Sequence, residues 1–300
     1  GGTFDGAQDV VLRTDAQARV PISLDRSAEF RVLETAFAAG VAVAEPLLEC
    51  RDATIIGAPF TLQRYCSGEA SARSLTRAPD LEAWGDDAVF ALGRALATVH
   101  TIRPGAPSAE RLSFLPVPLH APGVVEVERL RGALKGSTEA RPALAYVLRW
   151  LETHPPRASA TTLVHGDYRT GNVMLDGANV RAILDWEFAH WGDPAEDIGW
   201  FTARCWRFGN DAREAGGLGA RSAFYEGYRS VVPLPLEGES VPYWEVMAAA
   251  KWAAVSVLQG DRYRRGGEDS LELVLTGLMA PEMEFDALTQ IDMLKKALPR

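Results

Sequence analysis

"TLVHGDYRTGNVMLDGANVRAILDWEFAHWGDPAED", from Thr162 to Asp197, sets polar residues at fixed intervals across short apolar runs. "TTLVH", "NVMLD" and "VRAILDW" read as strands, and Asp176-Gly177 supplies the turn that pairs the second with the third. His165-x-Asp167 falls where the first of these strands ends. Asn172 follows five residues after Asp167, beyond a short loop, and Asp185 lies at the end of the strand antiparallel to "NVMLD". This layout lets Asp167 face an incoming hydroxyl while Asn172 and Asp185 converge on one metal. An amide oxygen and a carboxylate are hard donors, suited to Mg²⁺ that also holds phosphate oxygens. Any one of these residues alone is an ordinary turn residue; the joint spacing points to chemistry.

H-x-D-x-x-x-x-N followed by a metal-binding Asp is the order of kinase-type phosphoryl transfer, in which positioning and charge neutralisation do most of the catalysis. Arg169 is placed either to steady the γ-phosphate or to form an internal ion pair. His165 reads as a packed residue that holds the loop by hydrogen bonds. Glu187 is either an outer partner of the metal or a structural acceptor. A protein kinase is disfavoured: there is no "DFG" or "APE" segment, and the stretch from Asp185 to Asp193 is too short to seat a peptide.

Outward from this stretch, the first sixty-odd residues read as a small strand-rich unit with one helix. "DVVLRT", "PLLEC" and "APFTLQRYC" are its strands. "SLDRSAEFRVLETAFAAG" is its helix, with Phe30, Leu33, Phe37 and Ala38 on the apolar face and Gly40 as the stop. "GGTFDG" at the start reads as a hairpin turn. After Ser67-Gly68 the pattern becomes helical. "DDAVFALGRALATVHTI" puts Val89, Leu92, Leu96 and Val99 on one face, and "PALAYVLRWLETHPP" does so with Leu144, Val147, Leu148 and Leu151. "VPYWEVMAAAKWAAVSVLQGDRYR" reads as a core helix. The expected division is 1–66 as a nucleotide-binding lobe and 67–300 as a helical lobe with the catalytic loop and acceptor site, a ligand cleft lying between them.

The 300 residues are 47% hydrophobic and 24% charged, ordinary for a globular chain, with a net charge of −9. That charge argues against a general nucleic-acid binder, and no run approaches the roughly 18 to 20 apolar residues of a membrane span. Cys50, Cys66 and Cys205 are odd in number and lack CxxC spacing, which reads as reduced and cytoplasmic. His100, His120, His154 and His190 show no zinc-ligand spacing. Trp186, Trp191, Trp200 and Trp206 read as core. Arg262, Arg264 and Arg265 read as a solvated helix end or as a contact for an anionic substrate such as a CoA phosphate.

"HGDYRTGNVMLD…AILDWEFAHWGDPAEDIGW" resembles the aminoglycoside phosphotransferase family, a branch of the kinase-like fold. Its "DWE…GDP…D" run is most similar to phosphotransferases related to the kinase-like domains fused to some acyl-CoA dehydrogenases. "SAEFRVL", "GAPFTLQRYCSG" and "YWEVMAAAKWA" resemble the family's first-lobe helix, hinge strand and C-terminal helix. The resemblance implies an α+β, protein-kinase-like two-lobed fold with a small antiparallel sheet and a larger helical lobe. It implies Asp167 as base, Asn172 and Asp185 as Mg²⁺ ligands, and Glu29 paired with Arg13, where many relatives carry Lys. It also implies an adenine-binding hinge at Arg64, Tyr65 and Cys66, with Asp193 and Asp197 bracing the catalytic loop. Too little chain precedes Val10 for the family's first strands and phosphate-covering loop, so residues upstream are expected to be missing.

The expected reaction moves the γ-phosphate of ATP, or of GTP, to a hydroxyl of a small molecule, with Mg²⁺. The acceptor is a metabolite such as a hydroxyacyl-CoA, or an aminoglycoside or macrolide antibiotic. A homodimer is compatible with the sequence. The rival is a catalytically silent nucleotide-binding protein acting through partners, motivated by Arg13 and the short N-terminus.

Overall fold

A computed structural model describes residues 9–14, 23–137, 139–158, 160–232, 240–265 and 270–297. The "GGTFDG" turn lies outside them. The first elements are β1 (Val10–Thr14), helix α1 (Arg26–Ala38), β2 (Pro46–Cys50) and β3 (Phe60–Arg64). The three strands form one antiparallel sheet in the order β1-β3-β2, with Leu12 opposite Leu62. Asp25 caps α1 by accepting the Ala28 N–H at 2.7 Å, and Gly40, with φ +78°, follows its end.

The expected face of α1 is buried at Phe30 and Leu33, together with Ala28, Glu29, Val32 and Ala36, whereas Phe37, 45% exposed, and Ala38 lie outward in the last turn. Glu29, itself 2% exposed, reaches its guanidinium partners from this face.

The larger lobe contains α2 (Ala72–Thr76), α3 (Leu81–Val99), α4 (Pro122–Leu134), α5 (Pro142–Thr153), β4 (Thr162–Val164), β5 (Val173–Asp176), β6 (Asn179–Ile183), β7 (His190–Gly192), α6 (Ala195–Thr202), α7 (Arg221–Arg229), α8 (Ser240–Arg264), α9 (Leu271–Gly277) and α10 (Ala280–Ala297). Val89, Leu92, Leu96 and Val99 of α3 are fully buried, and the expected face of α5 is buried along its length. Close approach of α3 and α7 needs two glycines. A Cβ on Gly93 would lie 2.1 Å from the Phe224 carbonyl oxygen, and one on Gly227 would lie 2.0 Å from that of Phe90. One apolar core runs from Val32 and Leu33 of α1 through α3 and Trp186 to Ile291 of α10, so the lobes share their packing.

β5 and β6 pair as the expected hairpin, with Gly177 in the left-handed region of its turn. β4 is not part of that ladder; it pairs with β7 instead. One strand of each two-stranded ladder, β4 and β5, borders the loop from His165 to Asn172. Among the described residues no helix is long and apolar enough to cross a membrane.

Candidate active site

The loop from His165 to Asn172 is fastened from several directions. The His165 ring is buried; its Nδ1 accepts the Asp167 N–H at 3.2 Å and its Nε2 donates to the Leu184 carbonyl at 2.9 Å, which fixes the tautomer. The fully buried Asp197, on α6, accepts the N–H groups of His165 at 2.7 Å and Gly166 at 2.9 Å. His100 Nε2 adds a contact at 3.2 Å, and its Nδ1 meets the Tyr228 hydroxyl at 2.7 Å. Gly166 has φ +80°, and a Cβ there would sit 2.5 Å from the Phe188 carbonyl oxygen, so no other residue fits.

Asp193 does not brace the loop. It accepts the Ala195 N–H at 3.0 Å and the Trp244 indole N–H at 3.2 Å, closing the first turn of α6 and tying it to α8. Burial pushes its carboxyl above the usual range, and these hydrogen bonds offset only part of that.

Three donors converge on the Asp167 carboxylate. Asn172 Nδ2 lies 2.6 Å from Oδ2, Trp200 Nε1 2.8 Å from Oδ1, and Arg169 Nε 3.1 and 3.2 Å from the two oxygens. Arg169 thus takes the internal ion-pair alternative, and its guanidinium lies 4.8 Å over the Trp206 ring. The Asn172 nitrogen is spent on Asp167, whose backbone carbonyl it also bonds at 3.0 Å, and its amide oxygen accepts no hydrogen bond among the described residues. The Leu184 N–H donates to the Asn172 carbonyl at 2.7 Å, which sets Asp185 beside it. Asp185 adopts φ +65°, a left-handed backbone uncommon outside glycine, and its side chain is 39% exposed.

From the small sheet, Arg13 spans to both sides. Its Nη1 donates to Glu29 at 2.8 Å and its Nη2 to Asp185 at 3.2 Å. Arg26 pairs with the second oxygen of Glu29 and donates to the Thr14 carbonyl at 3.1 Å. Glu187 lies near this group, and its carboxylate makes no hydrogen bond or ion pair among the described residues. Burial raises its carboxyl, and the charges of Asp185 and Glu29 raise it further. Three carboxylates therefore face two guanidinium groups, a surplus of negative charge that suits a cation. Among the described residues no three His, Cys, Asp or Glu side chains form a metal cluster. A metal here would rest on Asn172 and Asp185, with water or phosphate oxygens completing its shell.

At the end of β3, the Arg64 and Tyr65 N–H groups bond the Glu45 and Asp9 carbonyls at 2.9 and 3.0 Å. Cys66 forms no backbone hydrogen bond among the described residues. A cavity of about 610 Å³ lined by Arg73, Arg77, Trp84 and Leu175 includes none of Asp167, Asn172, Asp185 or Arg13 in its lining. The cations at the end of α8 are not simply solvated: Arg264 pairs with Asp261 at 2.7 Å, and Arg265 reaches the Gly136 carbonyl.

Sequence reading placed Trp200 in the core without a role at the site, and it did not single out Arg26 or Lys251. Lys251 donates to the Gly166 carbonyl at 2.9 Å and lies 4.6 Å over the Trp200 ring. Arg26 stands three residues before Glu29, a helical spacing that signals the pair; the contacts of Trp200 and Lys251 join elements far apart in the chain.

Comparisons with known proteins bear on the family and the fold. The phosphotransferase enzyme family model matches residues 3–234. Mouse acyl-CoA dehydrogenase family member 10 is 35% identical over 175 residues, which is 57% of this chain and 16% of that protein. The chain thus spans under a fifth of that relative's length. The structure of a Ralstonia eutropha protein provisionally designated an aminoglycoside phosphotransferase superposes with a TM-score of 0.75 at 21% identity, covering 96% of this chain and 94% of the other. The GDP complex of aminoglycoside 2'-phosphotransferase-IIIa does so with a TM-score of 0.56 at 16% identity, covering 94% of both chains. Fold, motif and family match converge: the chain belongs to the phosphotransferase enzyme family, with the kinase-like two-lobed fold.

Proposed function

We propose that this protein is a small-molecule kinase that transfers the γ-phosphate of ATP to an acceptor hydroxyl. The observation that carries the reading is the Asp167 carboxylate, held by Asn172, Trp200 and Arg169 across from the Arg13–Glu29–Asp185 chain of charges. The acceptor oxygen attacks the γ-phosphorus, the bond to the β,γ-bridging oxygen breaks, and ADP leaves. Asp167 takes the hydroxyl proton late in that step. Asn172 and Asp185 would hold Mg²⁺, which offsets charge on the transferring group. Arg13 contributes a fixed cation toward the nucleotide phosphates, with Glu29 and Arg26 setting its direction. The peptide edge at Arg64, Tyr65 and Cys66 receives the base, dividing residues 1–66 from 67–300. The GDP complex of a structural neighbour supports a nucleotide in this cleft, and leaves GTP open as a donor. The chain acts in the cytoplasm on this reading.

A silent nucleotide-binding protein is the second reading, favoured by the Arg13–Asp185 ion pair, which occupies a ligand oxygen. Assaying ADP and phosphorylated product over a panel of hydroxyl compounds separates the two. We expect the parent to turn over and Asp167→Asn to lose about 10²–10⁴-fold in kcat, with little change in nucleotide affinity. Equal, negligible turnover in both proteins selects the silent reading.

A further inference from the structure

The wall beside Asp167 carries cations of its own. Trp200, whose indole N–H bonds Asp167, has the Lys251 ammonium 4.6 Å over its ring. Trp206, in contact with Trp200, has the Arg169 guanidinium 4.8 Å over its ring. Indole faces are the surfaces on which a cationic amine would be held, and both are already covered. Arg169 is matched by Asp167. Glu126, whose carboxyl feels the Lys251 charge, and two other acids of this lobe have direct partners of their own. Glu126 has both oxygens on Arg129, Glu196 faces His190 at 3.2 Å, and Glu245 meets Arg221 and Thr202 at 2.7 Å. Lys251 itself donates to a backbone carbonyl and has no carboxylate partner among the described residues. The buried Trp206 indole N–H likewise has no acceptor. An ammonium with no direct carboxylate partner among the described residues thus stands over the tryptophan that bonds the proposed base, and an idle indole N–H belongs to the next ring. The chain's net charge of −9 would attract cations to its surface at large, but a pocket selects by its own lining.

We infer that the acceptor is a hydroxy compound bearing an anionic group, a carboxylate or a phosphate ester, and that Lys251 is the specificity-determining residue that takes the anion. This rests on the phosphotransfer reading above. The test compares matched acceptors with Mg·ATP. One set is 3-hydroxybutyrate, 1,3-butanediol and 4-amino-2-butanol; the other is glycerol 3-phosphate against glycerol, which separates phosphate from carboxylate. ADP release is measured for the parent, Lys251→Arg and Lys251→Met, and nucleotide binding is followed separately by thermal shift.

The expected result is a kcat/KM for at least one anionic member about ten- to a hundredfold above its neutral partner, the worth of a charge-assisted hydrogen bond. The amino alcohol should be poorest. Lys251→Met should erase the ratio through KM, and Lys251→Arg should keep most of it. Preference for the amino alcohol, or a Lys251→Met loss equal for charged and neutral acceptors, overturns the inference, since the second result means that Lys251 only holds Gly166. Transfer without charge preference overturns it alone. No transfer by a protein that binds Mg·ATP overturns the phosphotransfer reading and this inference with it.

Discussion

The two sides of the cleft are built by different means. On the catalytic loop, Asp167 is held by groups from the loop and from α6, and the loop by Asp197, the buried His165 ring and Lys251 of α8. On the sheet side, β1 is exposed at Val10, Val11 and Leu12, and its one inward reach is Arg13, shared between Glu29 and Asp185. Buried hydrogen bonds are worth most where water is excluded, so the proposed base is preorganised before any ligand arrives. Partly exposed ion pairs are weak and screened, so the sheet side can change partners when phosphates enter. One region fixes a geometry, and the other exchanges charges.

Asp197→Ala should break the comparison at its stronger side. The change leaves two buried backbone N–H groups and His100 without their acceptor, a loss of about 3 kcal/mol in urea unfolding at pH 7. A loss under about 1 kcal/mol would mean that the loop stands without its brace. A pH series adds a sign. Burial alone would raise the Asp197 carboxyl, but the hydrogen bond and charge of His100, with His165, outweigh it and hold the group below its usual value. A lowered folded value means stability fully present above the unfolded pKa of about 3.9 and lost as pH falls through the folded one. The parent should therefore lose stability below about pH 4 more steeply than the variant.

Arg13→Met probes the weaker side. With the cation gone, Glu29 keeps Arg26 and Asp185 is released, so stability should change little. The KM for ATP should rise about tenfold, with kcat falling less, since a phosphate contact of roughly 1.4 kcal/mol is lost. Arg13→Lys should recover part of the affinity, because an ammonium reaches one partner where the guanidinium fork reaches two. An unchanged KM in Arg13→Met would show that nucleotide phosphates bind elsewhere.

What could be read in advance follows the same division. His165, Asp167, Asn172 and Asp185 fall within one strand–loop–hairpin, so spacing alone brings them to one end of it. Buried faces of α3 and α5 were legible from period alone. Contacts between distant elements were not. Trp200 read as core and Lys251 fell unremarked within a helix read as core, and only the docking of α6 on α8 puts both beside the loop. Asp193 and Asp197 stand four residues apart in one motif. The sequence cannot say that the first closes its own helix turn and the second crosses to the loop. Phe30 and Leu33 are buried as the period of α1 says, and Phe37, in its last turn, is not, because a period does not say where along a helix the packing stops. β7 is three residues long, too short to carry a period.

The smallest effect should come from Glu187→Gln, and it sharpens the charge account of the sheet side. Burial, then Asp185 and Glu29, hold the Glu187 carboxyl above its usual value. The folded state therefore resists ionisation more than the unfolded chain does. Stability is highest where both states are protonated, below an unfolded pKa of about 4.3, and falls as pH rises through the folded value. Glutamine removes that fall. In thermal unfolding at low salt the variant should gain about 0.5 kcal/mol at pH 7, discounted for partial exposure, and nothing below about pH 4. Millimolar Mg²⁺ should stabilise the parent more than the variant, because a dication among Glu29, Asp185 and Glu187 relieves the same repulsion. A gain equal at both pH values would trace the effect to packing instead, and the surplus negative charge would then not be what prepares this side for a cation.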